Sequence, residues 1–290
     1  MVETKKKIRE RLIGSFGRLK SDSFYFESIE KYFRNKNHNG DFQVLTDKTC
    51  KDLDFNELFM FADRTTSYVG QQFLYDTLRT IPPNGDKFVE QEKLINQIAK
   101  DSSIRLELQI HLNKLTREST YFITTLFQDE YIKKPKWFFI IPVCSFASLF
   151  ALLLIPFIPQ FFFVLLAVMI INLGIHYWNK QNIHEYIGTI PQLLALNRVA
   201  QELFKYNMLK KISIDLPESI KIIDKVRHRM SFFRLEAKFQ SDLGVFFWSF
   251  MELIKALFLL EPLILFGVLK QLNLKRKEIE NVFSFVGYVD

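Results

Sequence analysis

Residues 137–178 read WFFIIPVCSFASLFALLLIPFIPQFFFVLLAVMIINLGIHYW, and this stretch contains no Asp, Glu, Lys or Arg. A helix needs about 20 apolar residues to cross a bilayer's hydrocarbon core of about 30 Å, and the stretch is roughly twice that length. Pro156 and Pro159 at its centre remove backbone donors and favour a turn. The sequence therefore predicts a transmembrane helical hairpin, with helices from Trp137 to Phe157 and from Phe161 to Trp178.

The alternative for this stretch is a buried helix pair in a large soluble core. The absence of charge over such a length favours the membrane. Trp137 and Trp178 stand at the two open ends, where amphipathic rings prefer the headgroup zone. Lysines flank the same ends, at positions Lys133, Lys134, Lys136 and Lys180, and the central turn has none. By the positive-inside rule, both termini are expected in the cytosol.

Composition is consistent with a membrane protein but does not specify a partner. The 290 residues include 31 Phe, and the formal net charge is +7. A positive chain suits either an anionic membrane leaflet or nucleic acid. Cys50 and Cys144 lie in unlike segments, so we expect no disulfide and a reducing compartment. We identify no Cys, His or acidic partner at metal-ligand spacing beside His111, which is interpreted as structural, and no metal site is expected.

Apolar residues recur at spacings of three and four on both sides of the hairpin, which predicts an all-α fold. We divide the chain into an N-terminal helical region (1–42), a set of core helices (43–132), the hairpin (137–178) and a second cytosolic helical part (179–290). Residues 243–274 are strongly apolar but carry Glu252, Lys255 and Glu261. Because a charge at the centre of a span costs about 2.5 to 3.5 kcal/mol, we favour buried core helices, the second opened by Pro262, over a third membrane segment.

The most informative cytosolic stretch is Gln43 to Arg79. Asp54 followed by Glu57 resembles a capping box, which predicts a helix start. A second helix is expected near Thr65-Thr66-Ser67, whose hydroxyls can accept from free amides of its first turn. Its predicted apolar stripe consists of Val69, Phe73, Leu74 and Leu78. Gly70 is a poor helix former in that first turn, and a close backbone approach would explain it.

This stretch resembles the start of the core domain of the MutS family of DNA mismatch-repair ATPases. The family places a Thr-x-Thr-x-x-Gly pattern before an apolar helix and a proline turn, matched here by Thr65, Ser67, Gly70, Phe73, Leu74, Leu78 and Pro82 or Pro83. The bacterial membrane-anchored MutS-like proteins are more similar, with a transmembrane pair after the first core helices and an upstream Thr-x-x-Asp-Leu-Asp segment. The matching residues are Thr49, Asp52, Leu53 and Asp54. Ser67 replaces the second Thr, and Gln72 and Thr77 stand where the family commonly has Arg and Trp. There is no mismatch-reading domain before residue 43.

The resemblance implies the non-catalytic core and lever part of a membrane-anchored MutS-like protein, placed in the bacterial inner membrane. Its implied role is to bind mismatched or branched DNA and couple that binding to an ATPase domain that this chain lacks. ATP and Mg are expected only for such a domain, which would also mediate homodimerisation. The chain has no G-x-x-x-x-G-K-[ST] phosphate loop, so we expect neither catalysis nor a cofactor.

A basic amphipathic helix between residues 216 and 240 is the candidate phosphate-contacting surface, for DNA or lipid. Its cations are Lys221, Lys225, Arg227, Arg229, Arg234 and Lys238. The plainer interpretation is a solvated helix face. The alternative function is a small helical membrane scaffold with no nucleic-acid role. An intramembrane enzyme or transporter is disfavoured, because the hairpin contains no Asp, Glu, Lys or Arg and therefore no ion pair between such side chains.

Overall fold

The computed structural model describes residues 5–83, 86–129, 135–227, 230 and 245–290. Helices dominate these ranges, and the strands described form one two-stranded antiparallel sheet. The predicted all-α class is therefore confirmed. The chain divides into two compact units, the first made of Met1–Asp129, Gln192–Asp224 and Arg276–Asp290, and the second of Glu130–Pro191 and Lys225–Lys275.

Unit 1 holds most of the short elements. Its helices are α1 (Lys5–Ser15), α2 (Phe26–Ile29), α3 (Lys31–Asn35), α4 (Asp47–Asp52), α5 (Phe55–Ala62), α6 (Tyr68–Arg79), α7 (Asp86–Lys100) and α8 (Ser102–Leu112). Strands β1 (Gln43–Val44) and β2 (Thr80–Ile81) pair with Gln43 opposite Ile81. Three 3-10 turns span Asn113–Leu115, Glu118–Leu126 and Asn207–Leu209. The last helix of the unit is α14 (Arg276–Val289).

Unit 2 contains the predicted hairpin. A 3-10 turn (Lys136–Phe139) leads into α9 (Ile140–Leu154), and α10 (Phe161–Leu203) follows as one continuous helix whose residues from Gln192 onward belong to unit 1. A further helix, α11, covers 216–227 and passes from unit 1 to unit 2 at residue 225. Unit 2 ends with α12 (Val245–Phe258) and α13 (Leu260–Asn273).

The hairpin differs from its prediction at two of its boundaries. The first helix ends at Leu154, earlier than the predicted Phe157, since Pro156 has no amide proton to continue the helical ladder. The second helix does not end at Trp178 but continues to Leu203, with Pro191 inside it. The lysines expected at the open end are only partly described, because Lys133 and Lys134 lie outside the described residues.

Two helical segments of the described chain, Lys136–Leu154 and Phe161–Trp178, are long and apolar enough to cross a membrane. Only 17% of the first segment and 6% of the second is buried inside the protein. Large apolar side chains such as Phe146 and Phe163 are instead exposed. Helices in the centre of a soluble core would be mostly buried, so this exposure favours an apolar solvent around the hairpin.

Unit 1 joins segments that the sequence-based division kept apart. Helix α14, from the end of the chain, packs against α6. Tyr32 and Phe283 show the same association, since their rings lie 4.8 Å apart and both side chains are buried. The boundaries at residues 42, 132 and 179 follow composition along the chain, whereas these contacts unite residues far apart in sequence.

The helix start predicted at Asp54 is confirmed, since α5 begins at Phe55, but the predicted capping box and the predicted core position of Leu78 are wrong. Asp54 precedes α5 in the left-handed conformation (φ 48°) and makes no side-chain capping bond, so no capping box forms with Glu57. Leu78 is exposed rather than part of the core stripe of α6. The face of α6 that is buried there carries Asp76 and Arg79, whose charges have partners described below.

Candidate functional site

The start of α6 is the point where the motif residues of the sequence analysis meet. Ser67 is the N-cap residue, and its Oγ accepts a hydrogen bond from the Gly70 amide at 2.9 Å. This satisfies one of the amides that a helix start leaves unpaired, as the Thr-Thr-Ser sequence predicted. Thr65 and Ser67 are both buried, so their hydroxyls act inside the protein rather than on its surface.

Asp290 completes this helix start from the other end of the chain. Its Oδ1 accepts from the Thr66 amide at 2.7 Å, and its Oδ2 accepts from the amide and hydroxyl of Ser67 at 2.7 and 2.6 Å. A carboxylate at a helix N-terminus is also favoured by the helix dipole. Burial raises the pKa of Asp290, and the hydrogen bonds from Ser67 and Thr66 oppose that rise. We call Thr66, Ser67 and Asp290 the carboxylate clasp.

Two glycines allow α6 and α14 to approach closely. A Cβ atom at Gly70 would lie 2.1 Å from Oδ2 of Asp290, and one at Gly287 would lie 2.5 Å from Cβ of Phe73. Neither distance leaves room for a side chain. The close approach predicted for Gly70 is therefore confirmed, but the approaching group is the Asp290 side chain rather than a backbone.

A buried polar network surrounds Asp63, just before the clasp. Its carboxylate accepts from Lys20 Nζ at 2.8 Å, from the amide and hydroxyl of Thr65 at 2.9 and 2.7 Å, and from Gln71 Nε2 at 2.7 Å. Tyr121 donates its hydroxyl to the other amide atom of Gln71, and burial raises the pKa of Tyr121. Asp63 is fully buried, and an unpaired charge there would be very costly. The network therefore holds the segment before α6 in place.

Gln72 links α6 to two further segments of unit 1. Its Nε2 donates to the backbone carbonyls of Ser28 at 2.8 Å and Tyr121 at 3.1 Å, and the side chain is completely buried. This is the position where the MutS family commonly has Arg. The amide makes these bonds without carrying a charge into the core, so the substitution is compatible with the fold.

The far end of α6 carries two ion pairs that the sequence analysis missed. Arg79 donates to Leu45 O at 2.7 Å and Asp47 Oδ1 at 2.9 Å, and its guanidinium lies 4.1 Å from the ring centre of Phe33. The hydrogen bond from Arg79 lowers the pKa of Asp47. These contacts tie β1 and the start of α4 to α6. The signal available in the sequence was the spacing of three residues between Asp76 and Arg79. A search for periodic apolar residues does not reveal it.

Asp76 forms the second of these pairs. Its Oδ2 accepts from Lys36 Nζ at 2.5 Å, and burial raises the pKa of Asp76 while Lys36 opposes the rise. His38 lies beside it, with Nε2 4.0 Å from Oδ1 of Asp76. The pair joins the loop after α3 to the middle of unit 1.

The remaining motif residues lie apart from the clasp. Thr49 donates its amide to the Thr46 hydroxyl that caps α4, and Asp52, Leu53 and Asp54 are exposed. Leu74 is half-buried and packs on an apolar cluster of unit 1. Of the matched residues, Thr65, Ser67 and Gly70 thus lie together at the start of α6, whereas the upstream Thr-x-x-Asp-Leu-Asp match forms the second half of α4 and the turn that follows it.

The basic helix is only partly described. Lys221 and Lys225 are exposed one turn apart on α11, and Arg227 is half-buried. Arg229, Arg234 and Lys238 lie outside the described residues. The described part thus places two of the predicted phosphate-contacting cations at the protein surface.

The clasp joins the N-terminal and C-terminal segments of unit 1 and, by its geometry, is a structural joint. In the ranges that the structure describes, no group of three or more His, Cys, Asp or Glu side chains could hold a metal ion. Comparisons of the chain with models of known protein families, with curated proteins and with solved structures found no match.

Proposed function

We propose that this chain is the non-catalytic core and lever part of a membrane-anchored MutS-like protein. The observation that carries the proposal is the meeting of Ser67 and Gly70 with Asp290 at the start of α6. Two of the residues that give the family resemblance therefore help to close a core built from distant segments. A core interrupted by a long excursion of the chain is the layout expected for a lever-containing domain.

The hairpin is the membrane anchor in this proposal. Its two helices have the required length and apolar composition, and their exposed side chains are apolar. With Lys136 at the open end and no charge at the tip, the positive-inside rule favours cytosolic termini. The protein would then hold its core at the cytosolic face of a bacterial inner membrane.

DNA is the proposed partner of the cytosolic part, and Lys221 and Lys225 are the contacts to test. Both are exposed on one helix, and the chain carries a formal net charge of +7. Phosphate contacts by such lysines give affinity that depends on salt rather than on base sequence. ATP hydrolysis, with its Mg ion, and dimerisation would belong to a separate nucleotide domain and not to this chain.

The test is DNA binding by the purified chain in detergent, measured by fluorescence anisotropy on homoduplex, mismatched and four-way-junction DNA at increasing salt. We expect binding that weakens with salt, and a salt slope smaller by about 2 in the Lys221→Glu/Lys225→Glu variant, since each phosphate contact contributes about 0.9. Lys48→Glu/Lys51→Glu is the matched control, because it reverses two exposed lysines on α4 with the same change in net charge.

The outcomes separate the two candidate functions. Preference for mismatched or branched DNA supports the MutS-like role. Equal loss in the Lys221/Lys225 variant and in the control means that α11 is not the DNA-contacting surface. No binding of any DNA at low salt refutes the nucleic-acid role and favours the helical membrane scaffold.

A further inference from the structure

Helices α12 and α13 form an apolar pair in which Lys255 and Glu261 are buried and the one exposed charge of α13, Lys270, lies in its last turn. Each has 14 residues, so each is about 21 Å long and too short to cross a hydrocarbon core of about 30 Å. They are separated by Leu259, which is buried and left-handed (φ 48°). A break of this kind between two short apolar helices is compatible with a segment that enters a bilayer and returns.

Of the three charges that argued against a membrane location, Lys255 pairs with Glu252, and both glutamates lie near His176. Lys255 Nζ lies 2.8 Å from Glu252 Oε1. The imidazole of His176 lies 3.5 Å from Glu252 through Nε2 and 3.9 Å from Glu261 through Nδ1. The side chains of Lys255 and Glu261 are only 3% and 5% exposed. Lys255 and Glu252 therefore enter the membrane as a pair, and their mutual attraction offsets part of the cost of inserting either charge alone.

Polar contacts fix the depth at which the pair is attached to the hairpin. The rings of Trp137 and Trp178 lie 4.7 Å apart and mark the headgroup level at the open end. Asn172 precedes Trp178 by six residues of the same helix, so it lies about 9 Å deeper. Its Nδ2 donates to the Leu257 carbonyl at 2.7 Å and to the Ser148 hydroxyl at 2.9 Å. The C-terminal end of α12 is thus bound well below the tryptophan level.

The order of contacts along the pair shows that it enters and returns. Glu252 on α12 and Glu261 on α13 both face His176, which lies one turn of α10 nearer the tryptophans than Asn172. Leu257, between them in sequence, reaches the deeper Asn172. Leu259 packs at this depth in a cluster with Ile141 and Cys144 of α9. The apex of the pair is therefore near Leu257 to Leu259.

The side of α12 away from the charges is apolar and exposed. Phe250 and Leu253 are 53% and 49% exposed and stand at i, i+3, so they share one face. This face belongs to a helix that packs against α9, whose own exposed residues include Phe146 and Phe150. It therefore continues the apolar surface of the hairpin.

We propose that α12 and α13 are a re-entrant pair whose apex lies inside the apolar layer of the membrane and whose Leu253 face contacts lipid acyl chains. The inference rests on the membrane crossing of the hairpin proposed above. It replaces the sequence-based preference for buried core helices at 243–274. Phe250, one turn nearer the cytosol than Leu253, lies at the headgroup level, where an aromatic ring is well accommodated.

Spin labels on single cysteines test this depth. In full-length protein with Cys50→Ala and Cys144→Ala, labels replace Leu253, Leu274 and Phe150, and the protein is placed in lipid vesicles. Phe150 is an exposed mid-helix position of α9, and Leu274 is an exposed leucine just after α13. Collision rates with oxygen and with a polar nickel chelate then report the surroundings of each label.

We expect the chelate collision rate at position 253 to fall severalfold below that at position 274, because Leu253 lies one turn above Leu257 and just below the tryptophan level, where a polar complex is already depleted relative to water. Chelate access at 253 equal to that at 274, with 150 shielded, overturns the re-entrant pair and leaves the anchored hairpin standing. Chelate access at all three positions overturns both the pair and the membrane crossing.

A second readout needs no substitution. Unaltered protein in vesicles is irradiated with a phospholipid that carries a diazirine at mid-chain, and the adducts are located by peptide mapping. We expect adducts in Val245–Phe258 as well as in α9 and α10, and none in α14. Adducts confined to α9 and α10 refute lipid contact by α12.

Discussion

Replacing Gly70 by alanine tests whether the carboxylate clasp stabilises unit 1. The new Cβ would lie 2.1 Å from Oδ2, 2.5 Å from Cγ and 2.7 Å from Cβ of Asp290. Because even the Asp290 Cβ is too close, rotation of the carboxylate alone does not relieve the overlap. The Asp290 side chain must move, and its bonds to Thr66 and Ser67 are then lost.

The expected loss of stability can be estimated from three contributions. Overpacking a buried site costs about 1 to 3 kcal/mol. Leaving buried partners of a hydrogen bond unsatisfied costs about 1 to 3 kcal/mol. Alanine in a helix regains about 0.5 to 1 kcal/mol relative to glycine. The net expectation for Gly70→Ala is a destabilisation of about 3 kcal/mol.

Hydrogen exchange of the full chain in detergent measures this effect locally. Amides in α6 and α14 that exchange by opening of unit 1 should exchange roughly 100-fold faster in the variant, since each 1.4 kcal/mol corresponds to about tenfold. Gly14→Ala is the matched control, because Gly14 lies in helix α1 with no atom near its added Cβ. That change should leave α6 unaffected.

A double-mutant cycle identifies the clash as the cause. Asp290→Gly removes the three atoms that would lie nearest to the alanine Cβ. In that background, Gly70→Ala should no longer destabilise unit 1. It should instead stabilise the unit by the preference of alanine over glycine inside a helix, about 0.5 to 1 kcal/mol. An equal loss from Gly70→Ala with and without the Asp290 side chain would refute the clasp as the reason for the glycine.

Three further predictions follow from the ion pairs, the hairpin and the glycine pattern. Burial raises the pKa of Asp76 in the folded state, and Lys36 opposes this rise. Protonated Asp76 therefore contributes stability that is fully present below its unfolded-state pKa of about 3.9, and this contribution is lost as the pH rises through the folded-state pKa. Thermal unfolding midpoints of Asp76→Asn should therefore depend less on pH than those of the unaltered protein between about pH 4 and 7, and parallel curves would contradict this. To test the topology, single cysteines are placed at Gln160, Ser21 or Glu280 in a cysteine-free chain. Only the cysteine at position 160 should react with a membrane-impermeant thiol reagent added outside. Reaction at position 21 or 280 would show that the orientation is reversed. Calorimetry of the 290-residue chain with ATP and Mg should show no saturable heat, because the sequence has no phosphate loop, and saturable binding would show that the fold has a nucleotide site of another kind.

The hairpin and the all-α class were predictable from sequence because both depend on local properties. A charge-free stretch of twice the spanning length has few alternatives, and 3.6-residue periodicity is visible in a single segment. Ser67 as a cap was predictable for the same reason, since the cap bonds an amide three residues away. Gly70 indicated that something must approach the helix, but not what.

The partner of Gly70 was decided by tertiary structure. Asp290 lies 224 residues from Thr66 in sequence, and no local pattern relates them. The burial of Gln72, Asp76 and Arg79 on α6 was equally hidden, because periodicity ranks residues by polarity alone. A polar side chain can become a core residue when other segments supply hydrogen bonds to it, as Ser28 and Tyr121 do for Gln72 Nε2.

The same reasoning separates sequence from structure at residues 243–274. Glu252, Lys255 and Glu261 read as obstacles to a membrane location when each charge is counted alone. In the folded chain the two glutamates lie near His176 and Lys255 pairs with Glu252, while Phe250 and Leu253 of α12 are exposed. The sequence by itself determined the charge-free hairpin and its helical surroundings. Only the tertiary structure decided which charges are paired and which apolar faces are left exposed, because pairing depends on residues brought together from separate helices.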